Sequence, residues 1–151
     1  MNLKSQKQMT KKIRRQVSKE KAIDQALWLT FKHRRKHKSF GVVQSSQGDC
    51  LIIERPHASF SESEFETLPN DYSQMDYNHI KHIGMDEDPL MHWEEIKGMV
   101  STMHGEILRF ILKYNVPLEK FIRFELANRG HDENHVWVGF ENAEKIWLKD
   151  Q

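Results

Sequence analysis

The sequence has a single cysteine, Cys50, so it can form neither an internal disulfide nor a zinc site built from several thiolates. It also has no run of 18 apolar residues, and its lysine-rich start lacks the apolar segment of a secretory signal peptide. We therefore expect a cytoplasmic protein with no membrane partner. Because Cys50 stands in an apolar run, we expect it to pack as a small hydrophobic residue.

Recognised catalytic motifs are missing as well. The chain has no glycine-rich phosphate loop, no Gly-x-Ser-x-Gly elbow and no Cys–His pair at a known spacing. The adjacent acids Glu94 and Glu95 do not face each other on a helix. No catalytic residue and no cofactor is predicted, and the sequence favours a protein that is not an enzyme.

Size and apolar content are sufficient for one hydrophobic core. The 151 residues are 38% hydrophobic and include four Trp, eight Phe and seven Met. Residues 1–8 are polar, basic and terminal, which is typical of disorder. We expect residues 9–151 to form a single globular domain.

Charge is distributed unevenly along the chain. Residues 1–38 hold 13 Lys/Arg against two acids, a balance of +11, whereas residues 39–151 hold 10 Lys/Arg against 20 acids, a balance of −10. The basic segment either binds a polyanion or lies across an acidic surface of the protein itself or of a second copy. The second interpretation is favoured, because no aromatic residues for base stacking are interleaved among the first basic residues. The residues that would contact nucleic acid are Lys11, Lys12, Arg14, Arg15, Lys32, Arg34, Arg35 and Lys36.

The most regular pattern is a helical one over residues 88–115. Apolar residues recur there at steps of three and four, which predicts one long central helix. Gly98 and Gly105 are seven residues apart and share a face of that helix, so we expect another part of the chain to pack closely against them; the alternative is a helix kink or a groove for a partner. Pro117 begins a further helix that ends near Gly130, and the short link predicts an αα-hairpin.

The remaining elements are a basic helix and short strands. Thr10 can cap an N-terminal basic helix, which the positive run 32–38 ends. The runs 40–44 and 50–54 read as a hairpin with Gly48 in its turn, and the alternating run 135–140 as a third strand. The predicted fold class is α+β and mostly helical, with a long central helix in an αα-hairpin, a basic N-terminal helix and a small antiparallel sheet.

Nine histidines are a high number for this length and raise the question of metal binding. His79 and His82 stand at helical i, i+3 spacing, and His92 and His104 fall in the predicted long helix. One tight loop could offer nitrogen and oxygen ligands together. The alternative is that its Asp or Asn side chains accept hydrogen bonds from turn amides. The candidate metal ligands in this loop are His131, Asp132, Glu133 and His135.

The C-terminal third carries a resemblance to a known group. The run Arg-Gly-His-Asp-Glu-Asn-His-Val-Trp-Val-Gly-Phe at 129–140, continued by Trp147 and Leu148, resembles small bacterial proteins of unknown activity carried on mobile integron cassettes. The run includes no motif with a mechanism. The resemblance implies a bacterial accessory protein.

Three functions follow from these observations. The first is a non-enzymatic protein that acts by protein contact or as a homo-oligomer, because helices and aromatic residues are present and a reaction centre is not. The second is nucleic-acid binding through the basic segment. The third is a metal-dependent hydrolase that uses the loop 131–135.

Overall fold

The computed structural model describes residues 14–16 and 18–149. The segment 1–8, expected to be disordered, and the candidate nucleic-acid contacts Lys11 and Lys12 lie outside these residues. The chain divides into two compact units, a first unit Met1–Lys97 and a second unit Gly98–Gln151. Each unit is described by itself below.

The predicted fold class, mostly helical α+β with a small antiparallel sheet, is confirmed. The first unit contains the sheet and three helices, of which the third continues past the division between the units. Its elements are β1 Arg14–Gln16, α1 Lys19–Lys32, β2 Ser39–Gln44, β3 Cys50–Arg55, α2 Tyr77–Met85 and α3 Met91–Ser101.

The sheet has the order β1-β3-β2, and both neighbours of β3 run antiparallel to it. The predicted hairpin forms, with Val42 opposite Ile52 and a turn in which Gly48 has a φ of 88°. The central position of β3 in the sheet explains why its apolar run at 51–53 is uninterrupted. The predicted third strand at 135–140 is wrong: these residues form no strand of the sheet, Phe140 already begins a helix, and the third strand is β1.

Helix α1 packs against the sheet to form the core of the first unit. The helix begins after Ser18, whose hydroxyl accepts a hydrogen bond from the Lys21 amide. The predicted start at Thr10 is wrong over residues 14–16, which form a strand; residues 10–13 lie outside the described residues. Cys50 is buried in this core, as expected. The core residues are Ala22, Ala26, Leu29, Val42, Cys50 and Ile52.

The predicted long central helix is divided into two. Helix α3 ends at Ser101, and the next helix, α4, spans Gly105–Lys113. The Thr102 amide makes the last i→i−4 bond, to the Gly98 carbonyl, and the Met103 amide bonds to Val100 instead. His104 then has an extended backbone, and its ring accepts from the Glu106 amide at the start of α4. The cap at His104 thus interrupts the helix despite the apolar periodicity.

The second unit continues with α5 Leu118–Asn128 and α6 Phe140–Trp147. The short link from α4 to α5 is present, but the main packing partner of α5 is α6. Between these helices, Gly130 has a φ of 67°, and the Trp137 ring fills the space that a side chain at this position would need. Gly130 is therefore required for both its backbone conformation and the ring contact.

The expected close packing at Gly98 and Gly105 is wrong. A Cβ atom added at Gly98 meets no heavy atom within 4 Å, and one added at Gly105 meets only the Arg109 guanidinium at 3.3 Å. Because the long helix breaks between them, the two glycines do not lie on one continuous face.

Within residues 14–16 and 18–149, none of the helices combines the length and the apolar character needed to cross a bilayer.

Like Gly130, Gly41 on β2 sits in a crowded position. A Cβ atom there would lie 2.5 Å from the Phe65 ring and 2.7 Å from Arg55 Cδ. We expect Gly41→Ala to lower the free energy of unfolding by about 1–3 kcal/mol through overpacking. Gly98→Ala is the matched control and should stabilise by up to about 1 kcal/mol, because it raises helix propensity in open space. The urea midpoints of the two variants test these expected changes in stability. Equal midpoints for Gly41→Ala and Gly98→Ala would contradict the prediction.

Candidate functional site

A buried carboxylate connects the three helices of the first unit. Asp24 on α1 is 2% exposed, which is rare for an acid unless it is paired. Its Oδ2 atom accepts a hydrogen bond from His79 Nε2 on α2 at 2.9 Å and from Trp93 Nε1 on α3 at 3.0 Å. The neutral Nε2–H form of His79 can make this bond, as can the protonated ring.

Tyr72 completes the surroundings of Asp24. Its ring packs edge-on against Trp93, with 5.1 Å between ring centroids. Burial of the Tyr72 hydroxyl, together with the charge of Asp24 and a hydrogen bond to it, raises the pKa of Tyr72 well above its usual range. The phenol therefore stays neutral at physiological pH.

The second oxygen of Asp24 is less well satisfied. Oδ1 is shielded from solvent and accepts no hydrogen bond of normal length and angle from the described residues. Buried oxygens in folded proteins nearly always have such a partner, and the Tyr72 hydroxyl is the group of the described chain that can supply it.

Asp24 lies at a pocket of about 250 Å³ that belongs wholly to the first unit. Polar groups come from α1 and α2, and apolar side chains come from the end of α2 and the start of α3. The lining residues are Ser18, Lys21, Asp24, His79, His82, Ile83, Met85, Asp86, Pro89, Leu90 and Trp93.

The basic residues near this pocket pair with acids of the same unit. Lys19 Nζ lies 2.8 Å from Glu66, and this hydrogen bond raises the pKa of Lys19. Lys21 Nζ lies 2.7 Å from Asp86. Burial opposes ionisation of Asp86, but hydrogen bonds from Lys21 and from the Asp88 amide outweigh it and lower the pKa of Asp86. These pairs fit the interpretation in which basic residues lie on the chain's own acidic surface.

The candidate nucleic-acid contacts fall into two groups in the described chain. Arg14 and Arg15 lie on the edge strand β1, before α1, and the others lie at or beyond the end of that helix, which is about 21 Å long. The Arg34 guanidinium packs over the Phe31 ring at 4.2 Å and donates to the Phe31 carbonyl. Nucleic-acid binding stays a prediction. The candidates at or beyond the end of α1 are Lys32, Arg34, Arg35 and Lys36.

In the predicted metal loop, residues 131–135, the Asp132 carboxylate bonds to backbone amides in and next to the loop. Asp132 Oδ1 accepts hydrogen bonds from the amides of Asn134 and Val136, at 2.9 and 2.8 Å. The rings of His131 and His135 stack at 4.6 Å, and the Trp147 indole donates to the His131 carbonyl. Among the residues described, no three His, Cys, Asp or Glu side chains are placed to hold a metal ion, and this covers the predicted ligands His131, Asp132, Glu133 and His135.

The second unit presents a different kind of surface. Only two of its described apolar side chains, Ala127 on α5 and Ala143 on α6, are fully buried. Many large side chains are half exposed or more, including Phe121 at 63%. Such an accumulation of exposed apolar side chains is uncommon on monomeric proteins. The large apolar residues of this unit that are exposed by half or more are Met99, Ile107, Phe110, Leu112, Tyr114, Phe121, Ile122, Phe124, Trp137 and Phe140.

Comparison with protein-family models, curated proteins and solved structures gives no match for this chain.

The environment of His92 generates a pH-dependence prediction. Its ring stacks on Trp28 at 4.7 Å, and its Nδ1 atom is buried without a hydrogen-bond partner among the described residues. Burial lowers the pKa of His92, and the charge of Asp24 opposes this only in part. The unfolded chain, with a His pKa of about 6.5, therefore binds protons more readily than the folded one.

We expect folding stability to decrease as pH falls below about 6.5, until the lower folded pKa of His92 is reached. The variant His92→Phe keeps a ring to stack on Trp28 and removes the titrating group, so it should lose less stability over this range. Urea midpoints at pH 8 and pH 5 measure the difference. An identical loss in both proteins would show that His92 does not contribute.

Proposed function

We propose that this chain is a non-enzymatic binding protein that acts through protein contact, and that its first partner is a second copy of itself. The observation that carries the proposal is the second unit, where aromatic side chains stay exposed while the fully buried apolar side chains are two alanines. Surfaces of this kind are typical of protein interfaces.

Summed over the second unit, the exposed aromatic area is comparable to one side of a dimer interface. An aromatic side chain has about 150–250 Å² of surface, so one that is half exposed offers roughly 100 Å². Six exposed aromatic side chains in the second unit offer on the order of 600 Å², close to the ~800 Å² that each partner contributes to a standard interface. The exposed aliphatic residues add to this area. The six aromatic residues are Phe110, Tyr114, Phe121, Phe124, Trp137 and Phe140.

The charges of the second unit favour self-association. Residues 98–151 hold seven basic and eight acidic residues, a balance of −1, so two copies meet with little net repulsion. Three arginines pair with acids of their own helices: Arg109 Nη1 lies 2.7 Å from Glu106, and the other two pairs are at 2.8 Å. A second copy can therefore cover the apolar residues without leaving these charges unpaired. The other pairs are Arg123–Glu119 and Arg129–Glu125.

We also propose that the protein has an accessory role in a bacterium. The resemblance of residues 129–148 to proteins of mobile integron cassettes supports a bacterial accessory role. Nucleic-acid binding is the weaker alternative, because Lys19 and Lys21 already pair with acids of the same unit. Metal-dependent hydrolysis is weaker again, because the Asp132 carboxylate accepts backbone hydrogen bonds in its own loop.

Sedimentation equilibrium of the full chain tests the proposal. At micromolar concentrations we expect at least twice the chain mass of 18.0 kDa. Phe121→Glu places a charge on the exposed face of α5, and it should weaken association about 100-fold or more because that charge would be buried unpaired. Tyr77→Glu is the matched control: Tyr77 is 82% exposed but belongs to the first unit, so this variant should associate like the unmodified protein.

Two results would overturn the proposal. One is a mass of 18.0 kDa at every micromolar concentration. The other is an association constant that Phe121→Glu and Tyr77→Glu lower equally.

A further inference from the structure

A group of basic residues follows the end of α1, in the first unit. Between Asp24 and Asp49 the chain holds no acidic residue, and the basic run 32–38 lies within this stretch. Residues 34–36 form one 3-10 turn, which rises only about 2 Å per residue, so the cations of the run lie close together. We call this group the basic surface; its cations are Lys32, Arg34, Arg35, Lys36 and Lys38.

Three of these five cations have no acidic partner. Lys38 Nζ lies 3.1 Å from Glu54. Lys32, Arg35 and Lys36 are exposed and form no ion pair with any described residue. The lysines at the start of the same helix, in contrast, pair with acids of their own unit. Exposed cations that are concentrated and unpaired attract a polyanion, so the end of α1 is suited to one and its start is not.

Aromatic side chains lie directly beside these cations. Phe31, the residue before Lys32, is 55% exposed. The Arg34 guanidinium packs over the Phe31 ring at 4.2 Å, and the Trp28 ring stacks beside it with 5.9 Å between ring centroids. An unpaired base can stack on the guanidinium, or take its place on the ring.

The combination of cations and planar groups selects among polyanions. An acidic protein segment or an anionic membrane would use the charges, but neither has bases to stack. The bases of a duplex are already stacked on one another, so they do not offer their faces to a protein ring. A single strand presents phosphates and unpaired bases together.

We propose that the basic surface binds single-stranded nucleic acid. Phosphates contact the unpaired cations, and one base stacks on Phe31 or on the guanidinium that covers it. This is a second activity, carried by the first unit, and it does not depend on self-association through the second unit.

Fluorescence anisotropy of the full chain tests the site. The probes are a DNA and an RNA single strand of the same mixed sequence, about 15 nucleotides long, the DNA duplex of that sequence, and heparin, a polyanion without bases. We expect saturable binding to at least one single strand, tighter than to the duplex. Three phosphate contacts give a slope of about −2 for log K against log salt, a loss of about 20-fold from ~50 to ~200 mM.

One pair of variants tests the charges. Replacing the three unpaired cations together, as Lys32→Gln, Arg35→Gln and Lys36→Gln, should weaken single-strand binding at ~50 mM salt about 10-fold or more and remove about 2 from the salt slope. A control with the same change in net charge should bind like the unmodified protein. It replaces three exposed lysines of the second unit by glutamine, Lys120, Lys145 and Lys149.

A second pair of variants tests the ring. Phe31→Leu keeps an apolar side chain but removes the stacking surface, so it should weaken single-strand binding about 10-fold and leave heparin binding unchanged. Phe31→Tyr keeps the ring and should bind the single strands like the unmodified protein. Equal melting temperatures show that these changes do not act through folding.

The proposal is overturned if neither single strand gives saturable binding, or if the duplex binds as tightly as the single strands. It is also overturned if the two triple variants lose affinity equally. If Phe31→Leu binds the single strands like the unmodified protein, stacking has no role, and the basic surface is a general site for acidic macromolecules instead.

Discussion

The need to bury apolar side chains is the constraint on which both units of this chain depend, and they meet it differently. The first unit satisfies it internally, because α1 covers the sheet with Ala22, Ala26 and Leu29. In the second unit the described apolar side chains that are fully buried are those of Ala127 and Ala143. A partner that covers the exposed aromatic residues would therefore bury much more apolar surface than this unit buries by itself.

Within the first unit, Asp24 is a polar counterpart to the apolar core. Its carboxylate links α1 to α2 through His79 and to α3 through Trp93. A buried carboxylate stabilises such an arrangement only when its hydrogen bonds are complete, since each unmet bond costs about 1–3 kcal/mol. The Tyr72 hydroxyl is a third polar group beside this carboxylate, so the network joins α1, α2 and α3 with the segment that precedes α2.

The sequence predicted the elements whose signals are local. The hairpin of β2 and β3 follows from turn residues around Gly48, and the central place of β3 follows from its continuous apolar run. The prediction of one long helix is wrong because His104 is extended and caps α4, and an apolar periodicity does not register such a cap. For Asp24 the sequence did contain a signal. Apolar residues surround it on several faces of α1, so an acid at this position is expected to be buried and hydrogen-bonded. Its partners, His79 and Trp93, lie 55 and 69 residues away, and nothing local indicates them.

Amide hydrogen exchange of the full chain over a range of concentrations tests self-association through the second unit most directly. Exchange reports local opening, and an interface protects the amides that it covers. Over a dilution of about 1,000-fold that spans micromolar affinity, protection in α4, α5 and α6 should fall, while protection in β2 and β3 should stay constant. Exchange in α4, α5 and α6 that does not change with concentration, in a protein that sediments as a single chain, would contradict it.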